Sequence, residues 1–591
     1  MKKKILAVLL CGSLAAGILT GCGGSGSQSP AAEAKTETEA AAEEAPAEEA
    51  VAEEAPAEEA ATEEAPAEEA AAEEAPAEEA AADGEEKILR LGWSKDIQTM
   101  DVHKTTDNYA VPLNIFDRLL EVQLNDDGST ELVNSIAKDY SVSDDGLVYS
   151  FELRDDVKFC DGTPLTSADV EATFTRMFTL EDSVQTDFTT CIKGAQAILD
   201  GNADSLEGFR VIDDTHFEIE LEEPFAGFLS VLATPTCCIF SKANLEEAGD
   251  DFGMVPAKTI GSGPYMVTDW KTNDSLTLVR NPYYWGEPAS ASEVHYKVYP
   301  EPSTFNMAFQ NGEVDILDCD FLDSSIVTST YETDAYKDKL IRVNRLGTYM
   351  ISINAGIEPM SDVRVRKAIQ MAVNRQGILD SIFGGHGELV DGIYPAGSIG
   401  FTAENQGWLK YDPEGAKALL KEAGYENGFD LEISANASGS SNIASIIQVV
   451  QQNLTDIGIN AHIETYDESS WLAKRKSGEM PLFAGVWTLD YNDPSNIIDT
   501  FFGSAESTKG RSLNYADTDV MARVTSAKSI VDETERLKEY ADLEKKIVEE
   551  DASWVPLFAL QHTFVISDRI EHFTPHWAGY GDFNAYGITM K

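Results

Sequence analysis

Hydrophobic and polar side chains follow short, regular patterns over residues 87–591, and these patterns predict interleaved strands and helices. After the turn at 144–146, apolar and polar residues alternate from Leu147 to Leu153, which is typical of a half-buried strand. Thr166 and Asp169 then form a capping-box pattern, so we expect a helix to begin there.

The rest of this body shows the same interleaving of elements. The pattern predicts strands at 275–281, 294–300 and 429–435, one long helix from Ser361 to about Phe383, a helix opened by Asp412 and Pro413, and a helix at 444–456. Strands and helices in this order predict an α/β body with at least one mixed sheet.

The N-terminal segment has a different pattern. Three lysines precede an apolar stretch from Ile5 to Leu19, which is shorter than the about 20 apolar residues that span a bilayer. The stretch ends in Leu19-Thr20-Gly21-Cys22, which resembles the bacterial lipobox. The resemblance implies a signal peptide at 1–21 and a lipid anchor, with palmitate among its acyl chains, on Cys22 at the outer face of the cytoplasmic membrane. The alternative is an ordinary cleaved signal peptide with a chance cysteine.

Residues 22–86 predict an acidic tether rather than a domain. A ten-residue unit rich in alanine and glutamate repeats four times over 41–80, and each repeat contains a proline that breaks a helix. Acidic side chains far outnumber the single Lys35, and no residue type here could build a core. We therefore expect a self-repelling, disordered spacer.

Charge and cysteine content limit the class of protein. The formal net charge is −59, and the body at 87–591 is itself acidic, which disfavours nucleic acid as a partner because phosphate binding needs clustered basic residues. The five cysteines of the body show no disulfide framework: Cys160, Cys191, Cys237, Cys238 and Cys319.

Known catalytic patterns are missing from the sequence. It contains no Gly-x-Ser-x-Gly elbow, no phosphate-binding Gly-x-x-x-x-Gly-Lys loop and no His-Glu-x-x-His zinc helix. His572 and His576 have the spacing of a helical metal pair, but Pro575 between them argues against a helix. We therefore expect a binding protein with no metal and no cofactor.

Five segments, in order, resemble the family 5 extracellular solute-binding proteins, which are the dipeptide, oligopeptide and nickel receptors of ABC importers. The resemblance covers the body from about residue 87 to the end and is strongest at 143–170. The other four segments are 261–265 with 280–285, 362–368, 411–425 and 487–494. Most of these positions are caps, turns and packed aromatic residues, so they identify the fold better than the ligand.

The resemblance implies an α/β, two-lobed fold of the periplasmic-binding-protein type, with a hinge and an extra domain inserted in the first lobe. We expect lobe I at 87–120, 258–341 and 555–591, the inserted domain at 121–257, and lobe II at 342–554. Closure around the ligand would be the mechanism.

The resemblance also implies a ligand site after Trp487. Asp490, three residues later, would hold the α-ammonium of a peptide by a charge-assisted bond. Gly485, Thr488 and their neighbours would offer backbone groups to an extended peptide, with Tyr491 adjoining. The alternative is that Asp490 only starts the turn before Pro494 and that Trp487 is a core residue.

One departure from the family leaves the ligand carboxylate without a named partner. Oligopeptide receptors carry an arginine three residues before that tryptophan, where this chain has Ala484, and the stretch 393–408 contains no lysine or arginine. The ligand would thus be a longer peptide with its end near solvent, or a solute without a carboxylate. Tyr109, Trp408 and Trp471 are candidate aromatic contacts in the cleft, or core residues.

The lipobox and the family resemblance together imply a lipid-anchored receptor that delivers peptides or related solutes to a membrane permease with ATPase subunits, and we expect it to be a monomer. It would lie at the cell surface, or in the periplasm if a second membrane is present. The alternatives are a sensory or chaperone-like peptide binder that is not coupled to import, and a surface hydrolase with an unrecognised site.

Overall fold

A computed structural model describes residues 87–106, 108–125, 128–578 and 584–591. The predicted signal peptide, Cys22 and the tether at 22–86 lie outside the described residues. Within the described ranges, no helix has the length and apolar character needed to cross a membrane.

Strands run through the whole of the body. In chain order they are β1 (Ile88–Trp93), β2 (Leu120–Leu124), β3 (Thr130–Asn134), β4 (Ala137–Val142), β5 (Val148–Leu153), β6 (Phe209–Val211), β7 (His216–Glu220), β8 (Tyr265–Lys271), β9 (Ser275–Arg280), β10 (Glu293–Val298), β11 (Ile316–Asp318), β12 (Leu340–Asn344), β13 (Gly347–Ile353), β14 (Gly387–Leu389), β15 (Asp430–Asn436), β16 (Asn460–Tyr466), β17 (Leu482–Thr488), β18 (Trp554–Ile566), β19 (Ile570–His572) and β20 (Thr589–Met590).

Helices lie between these strands. They are α1 (Pro112–Ile115), α2 (Ser167–Thr179), α3 (Ala195–Leu199), α4 (Phe228–Leu232), α5 (Lys242–Ala248), α6 (Pro302–Gln310), α7 (Ser324–Ile326), α8 (Val363–Ala372), α9 (Arg375–Phe383), α10 (Pro413–Glu422), α11 (Ser441–Asp456), α12 (Glu468–Ser477), α13 (Ser495–Phe502), α14 (Ala505–Gly510), α15 (Thr518–Ala527) and α16 (Glu533–Lys545).

The first sheet has the strand order β1-β10-β9-β8, with β1 and β10 parallel and the other pairs antiparallel. Leu89 and Leu91 of β1 and Val294 and Tyr296 of β10 are buried in one core. The alternating pattern of β1 therefore fixes the register of the strand that ends beside the cavity described below.

A second sheet, in the order β4-β5-β7-β6, has a separate core. Phe151 stacks on Phe217 with ring centroids 5.2 Å apart. Helix α2 covers this core and begins with the predicted capping box, in which the Asp169 carboxylate accepts a hydrogen bond from the Thr166 amide at 2.8 Å. The core draws mainly on residues within the predicted inserted domain.

The long strand β18 joins two groups of strands. Its first half pairs with β13 and β14 and its second half with β11 and β12, antiparallel in each case. Strand β17 pairs with the other edge of β13 and ends the sheet. The predicted boundary at 554/555 falls at the start of β18, and the domain limits stay predictions.

The prediction of one helix from Ser361 to about Phe383 is wrong. Asp362 caps α8, since its carboxylate accepts a hydrogen bond from the Arg364 amide at 2.8 Å, and the backbone of Val373 is extended. Asn374 then caps α9 by accepting from the Gly377 amide at 2.9 Å. An asparagine cap can therefore divide an apolar pattern that looks continuous in the sequence.

The helix opened by Asp412 and Pro413 is confirmed, with the Asp412 carboxylate accepting from the Gly415 amide at 2.8 Å. The five cysteines of the body are free thiols. Cys237 and Cys238 are buried in two different cores, and burial raises the pKa of the Cys237 thiol to about 12. They act as small apolar residues.

Candidate functional site: an acidic, aromatic cavity

A cavity of about 630 Å³ lies where segments far apart in the sequence meet. It is lined by residues in the segments 92–95, 108–109, 184–188, 316–321 and 487–490. These segments belong to the first sheet, to the region packed on the second sheet, to the β11 region and to the end of β17. A ligand here would therefore contact several separately packed parts of the body at once.

Asp490 lies at one wall of this cavity, in the short connection between β17 and α13. Asn496, in the first turn of α13, holds it at two points. The Asn496 side-chain amide donates to Asp490 Oδ2 at 3.1 Å, and the Asp490 backbone N–H donates to Asn496 Oδ1 at 3.3 Å. The carboxylate is thus fixed by the start of a helix rather than by a flexible loop.

Trp487 shares the same asparagine. Its indole N–H donates to Asn496 Oδ1 at 2.9 Å, and its ring makes an edge contact with Phe501 at 5.3 Å between centroids. The Arg511 guanidinium lies 4.9 Å from the centroid of the Trp487 ring. Asn496 therefore positions both cavity residues that the sequence singles out in this segment.

The surroundings of Asp490 disfavour the ionised form of its carboxyl group. Burial raises its pKa above the ordinary value, the hydrogen bond from Asn496 and the charge of Arg511 lower it, and the charge of Asp187 raises it further. Within the described ranges, no cationic side chain forms an ion pair with Asp490. A positive charge inside the cavity would offset the cost of burying this group.

Tyr109 lies on another wall of the cavity, as part of the first sheet's region. Its hydroxyl accepts a hydrogen bond from the Gln185 side-chain amide at 2.9 Å, and Thr236 donates to the oxygen of that amide at 3.1 Å. Phe188 adds a second ring to the cavity. An amphipathic solute would find aromatic surface and polar groups on these walls.

Tyr491, in contrast, is not a cavity residue. Only 5% of it is exposed, and its ring makes edge contacts with Phe188 at 5.2 Å and Phe225 at 6.2 Å. Its hydroxyl lies 3.2 Å from Ser495 Oγ. Tyr491 packs into the core of the second sheet, and so anchors the Asp490 connection to that core.

The other predicted residues lie away from the cavity lining. Trp408 packs, half-buried, against the core that contains Tyr394, and Trp471 makes an edge contact with Phe483 at 5.9 Å. Gly485 and Thr488 belong to β17, opposite Met350 and Gly347 of β13. Their backbone is within the strand that leads to the cavity.

Several cavity residues were not predicted from the sequence: Gln185, Asp187, Phe188 and Asp318. They lie in segments without periodicity or a recognisable pattern. Only the fold brings them within reach of the Trp487 wall, so no local signal could have identified them.

Asp318, Asp320 and His562 form the one group, among the described residues, that is close enough together to hold a metal. His562 Nε2 lies 3.2 Å from Asp318 and Nδ1 lies 2.9 Å from Asp320. Burial lowers the pKa of His562, but the two carboxylates outweigh this and raise it to about 10. A charged imidazolium between two carboxylates therefore satisfies this group without a metal.

The fold and the cavity define a two-lobed α/β binding protein. The family model described as bacterial extracellular solute-binding proteins, family 5 Middle, matches residues 131–509. The chain therefore belongs to the family 5 bacterial extracellular solute-binding proteins. This family consists of solute-binding proteins rather than enzymes.

Its relatives include the probable D,D-dipeptide-binding periplasmic protein DdpA of Escherichia coli K12, 26% identical over 493 residues that cover 82% of this chain and 91% of that protein. The dipeptide-binding protein of the same organism is 27% identical over 426 residues, which cover 70% of this chain and 76% of that protein.

Solved structures show the same fold. The murein tripeptide-binding protein MppA, in an unliganded open form, matches with a TM-score of 0.74 at 22% identity over 86% of this chain and 98% of that chain. NikA from Brucella suis in complex with Fe(III)-EDTA matches with a TM-score of 0.73 at 21% identity over 85% of this chain and 100% of that chain. The predicted two-lobed α/β fold is confirmed.

Proposed function

We propose that this protein captures peptides or related solutes for an ABC importer and that Asp490 binds the ammonium group of the ligand. One observation carries the proposal: a half-buried carboxylate lines a cavity, and within the described residues it forms no ion pair. The names of two relatives, which refer to dipeptides, agree with a ligand that carries an ammonium group.

The physical argument concerns the charge on Asp490. Desolvation disfavours an ionised carboxylate, and a ligand ammonium restores the lost interaction through a short, charge-assisted hydrogen bond. Asp187, which also lines the cavity, adds a second negative charge that favours a cation near Asp490. A neutral or purely anionic solute would leave the Asp490 carboxylate without an ion-pair partner.

Strand β17 supplies the second element of recognition. It pairs only with β13 among the described strands, and its Val486 side chain is 42% exposed. An extended peptide can add to such a terminal strand by backbone hydrogen bonds, which select for peptide backbone rather than for particular side chains. Broad side-chain tolerance follows from this mode of binding.

Delivery to a permease fits the predicted anchor. A receptor tethered through Cys22 by the acidic segment at 22–86 would stay near the membrane complex at a high effective concentration. Cys22→Ser should release the protein from membranes without unfolding the body, as fractionation and circular dichroism would measure. Retention on membranes after this change would contradict the anchor.

A binding experiment tests the receptor function. The purified protein is analysed by native mass spectrometry for co-purifying solutes, and calorimetry then compares free and N-acetylated peptides from two to six residues long. We expect the free amine to bind at least ~30-fold more tightly than the acetylated form, because acetylation removes the partner of Asp490. Equal binding, or cleavage of the peptides, would contradict the proposal.

Cells test the import step. Loss of labelled-peptide uptake after deletion of the gene would support coupling to a permease. Normal uptake would favour the alternative of a peptide sensor.

A further inference from the structure

One tyrosine belongs to a core that is otherwise built from a distant part of the chain. Among the described residues, the other buried members of the core of the second sheet lie within 119–239. Tyr491 follows Asp490 in the connection between β17 and α13. Its ring makes edge contacts with Phe188 at 5.2 Å and with Phe225 at 6.2 Å between centroids. The connection that carries the candidate ligand carboxylate thus inserts one ring into a separate core.

The polar groups beside this ring are bound within their own part of the body. The Tyr491 hydroxyl lies 3.2 Å from Ser495 Oγ in α13, and the Asp493 carboxylate pairs with Arg536 of α16 at 2.6 Å. Toward the second sheet, Tyr491 presents its apolar ring. Withdrawal of the ring would therefore leave the hydrogen bond of its hydroxyl intact, and the cost would be the exposure of apolar surface.

Hydrogen bonds join the same two parts of the body at two places. The Asn492 side-chain amide donates to Thr130 Oγ1. Further away, the Ala226 amide donates to the Lys528 carbonyl oxygen at 3.0 Å. We call the buried ring of Tyr491 together with these two bonds the clasp. A contact built from one ring and such bonds can open locally at a lower free energy than the cores that it joins.

The clasp lies against the cavity. Phe188 contacts the Tyr491 ring and also lines the cavity, and Asp490 lines the cavity from the connection that Tyr491 shares. A ligand that contacts Phe188 and Asp490 would therefore touch both parts of the body that the ring joins. Such a ligand favours the closed clasp, because it makes both sets of contacts only while the two parts stay together.

We propose that Tyr491 is a positioning residue that keeps the cavity closed around a bound ligand, and that withdrawal of its ring from the core of the second sheet releases the ligand. This inference rests on the proposed function and concerns how long a ligand stays bound. Because the ring joins the walls on which Asp490 and Phe188 lie, its withdrawal lets these walls separate. Loss of the clasp should therefore change the dissociation rate more than the association rate.

Tyr491→Ala tests the clasp by removing the ring. The probe is the tightest-binding free peptide of two to six residues, followed by stopped-flow tryptophan fluorescence, since Trp93 and Trp487 line the cavity. We expect dissociation ~30-fold faster than in the unmodified protein, and association within ~3-fold of it. Tyr491→Phe keeps the ring and should restore the dissociation rate to within ~3-fold. An unchanged dissociation rate in Tyr491→Ala would overturn the role of the clasp.

Tyr515 provides a matched control. Like Tyr491 it is 5% exposed, and its ring makes an edge contact with Phe502 at 5.6 Å, inside the core that contains α13. Tyr515→Ala should keep the dissociation rate within ~3-fold. Equal acceleration by both alanine variants would indicate general loosening of the fold and would overturn the clasp. If Tyr491→Ala does not fold, Phe225→Ala removes a partner ring outside the cavity lining and should speed dissociation ~5-fold.

Hydrogen exchange tests the clasp without a ligand. The Ala226 amide is protected by its bond to Lys528 while the clasp is closed. In Tyr491→Ala its exchange should be at least ~10-fold faster, whereas the amides of β13, which belongs to another sheet, should keep their rates. Added peptide should slow the exchange of Ala226 in the unmodified protein.

The outcomes distinguish this inference from the proposed function. Peptide binding with unaltered dissociation and unaltered Ala226 exchange in Tyr491→Ala would overturn the clasp and leave the receptor function intact. Failure of every peptide to bind would overturn the receptor function and this inference with it.

Discussion

Two aspartates, three residues apart, occupy opposite situations at the start of α13. Asp493 is buried and satisfied: its Oδ2 accepts from Arg536 at 2.6 Å, and its Oδ1 accepts from the Ser495 hydroxyl at 2.7 Å. Asp490 faces the cavity and forms no ion pair with a described residue. The same residue type thus stabilises the fold at one position and is available to a ligand at the other.

The comparison shows how the surroundings assign a role to a carboxylate. Arg536, on helix α16, forms an ion pair with Asp493, so this carboxylate needs no partner from outside the protein. Asp490 accepts a hydrogen bond from the neutral amide of Asn496, and the charge of Arg511 acts on it without forming an ion pair. A buried charge that the protein itself leaves uncompensated is a candidate for binding a charged ligand.

The largest effect should come from breaking the satisfied pair. Arg536→Met leaves the Asp493 carboxylate buried without a cation, which should lower the free energy of unfolding by ~3–5 kcal/mol. Urea denaturation followed by circular dichroism measures the change. The double change Asp493→Asn with Arg536→Met should recover part of the loss, and a loss below ~1 kcal/mol would show that the pair is not structural.

The second-largest expected effect is a loss of ligand affinity without a loss of folding stability. Asp490→Asn should weaken a ligand with a free amine by ~2 kcal/mol or more, in line with removing one partner of a buried charge pair. The free energy of unfolding should not fall, since the change removes an unpaired carboxylate. Calorimetry and urea denaturation check the two expectations, and unchanged affinity would refute the ammonium role.

The smallest effect depends on pH. The pKa of Asp490 in the folded protein lies above its ordinary value of 3.8, so the residue becomes protonated at a higher pH than an ordinary aspartate. Ligand affinity should then decrease, by at most ~1.4 kcal/mol per pH unit, and Asp490→Asn should lack this component. Titration calorimetry at several pH values measures the difference.

The raised pKa of Asp490 should also make the folding stability depend on pH, in the direction opposite to its effect on ligand affinity. Folded Asp490 favours its proton more than unfolded Asp490, so its contribution is fully present below pH 3.8 and is lost as the pH rises through the raised pKa. Asp490→Asn should therefore gain stability relative to the unmodified protein over that rise. A constant difference between the two proteins would contradict the assigned direction.

Sequence patterns predicted much of the fold because caps and alternation are local. The capping box at Thr166 and the Asp412 cap are confirmed, while the break at Asn374 was missed since an asparagine within an apolar pattern can be helical or a cap. The α/β class and the family followed from ordered segments across the whole body.

The site was less accessible from the sequence. Trp487, Asp490 and Tyr109 line one cavity, and their ligand roles stay predictions. The side-chain direction of Tyr491 could not be predicted from the sequence, because the alternation of inward and outward side chains ends with β17. The side chain packs into the core of the second sheet.

Strand β18 has a consequence for how the body melts. Its backbone pairs with β13 and β14 along the first half and with β11 and β12 along the second half. Neither group of strands can therefore separate without breaking hydrogen bonds to β18, which both groups share. Hydrogen exchange should accordingly show the backbone amides of these two groups of strands opening together, as one cooperative unit.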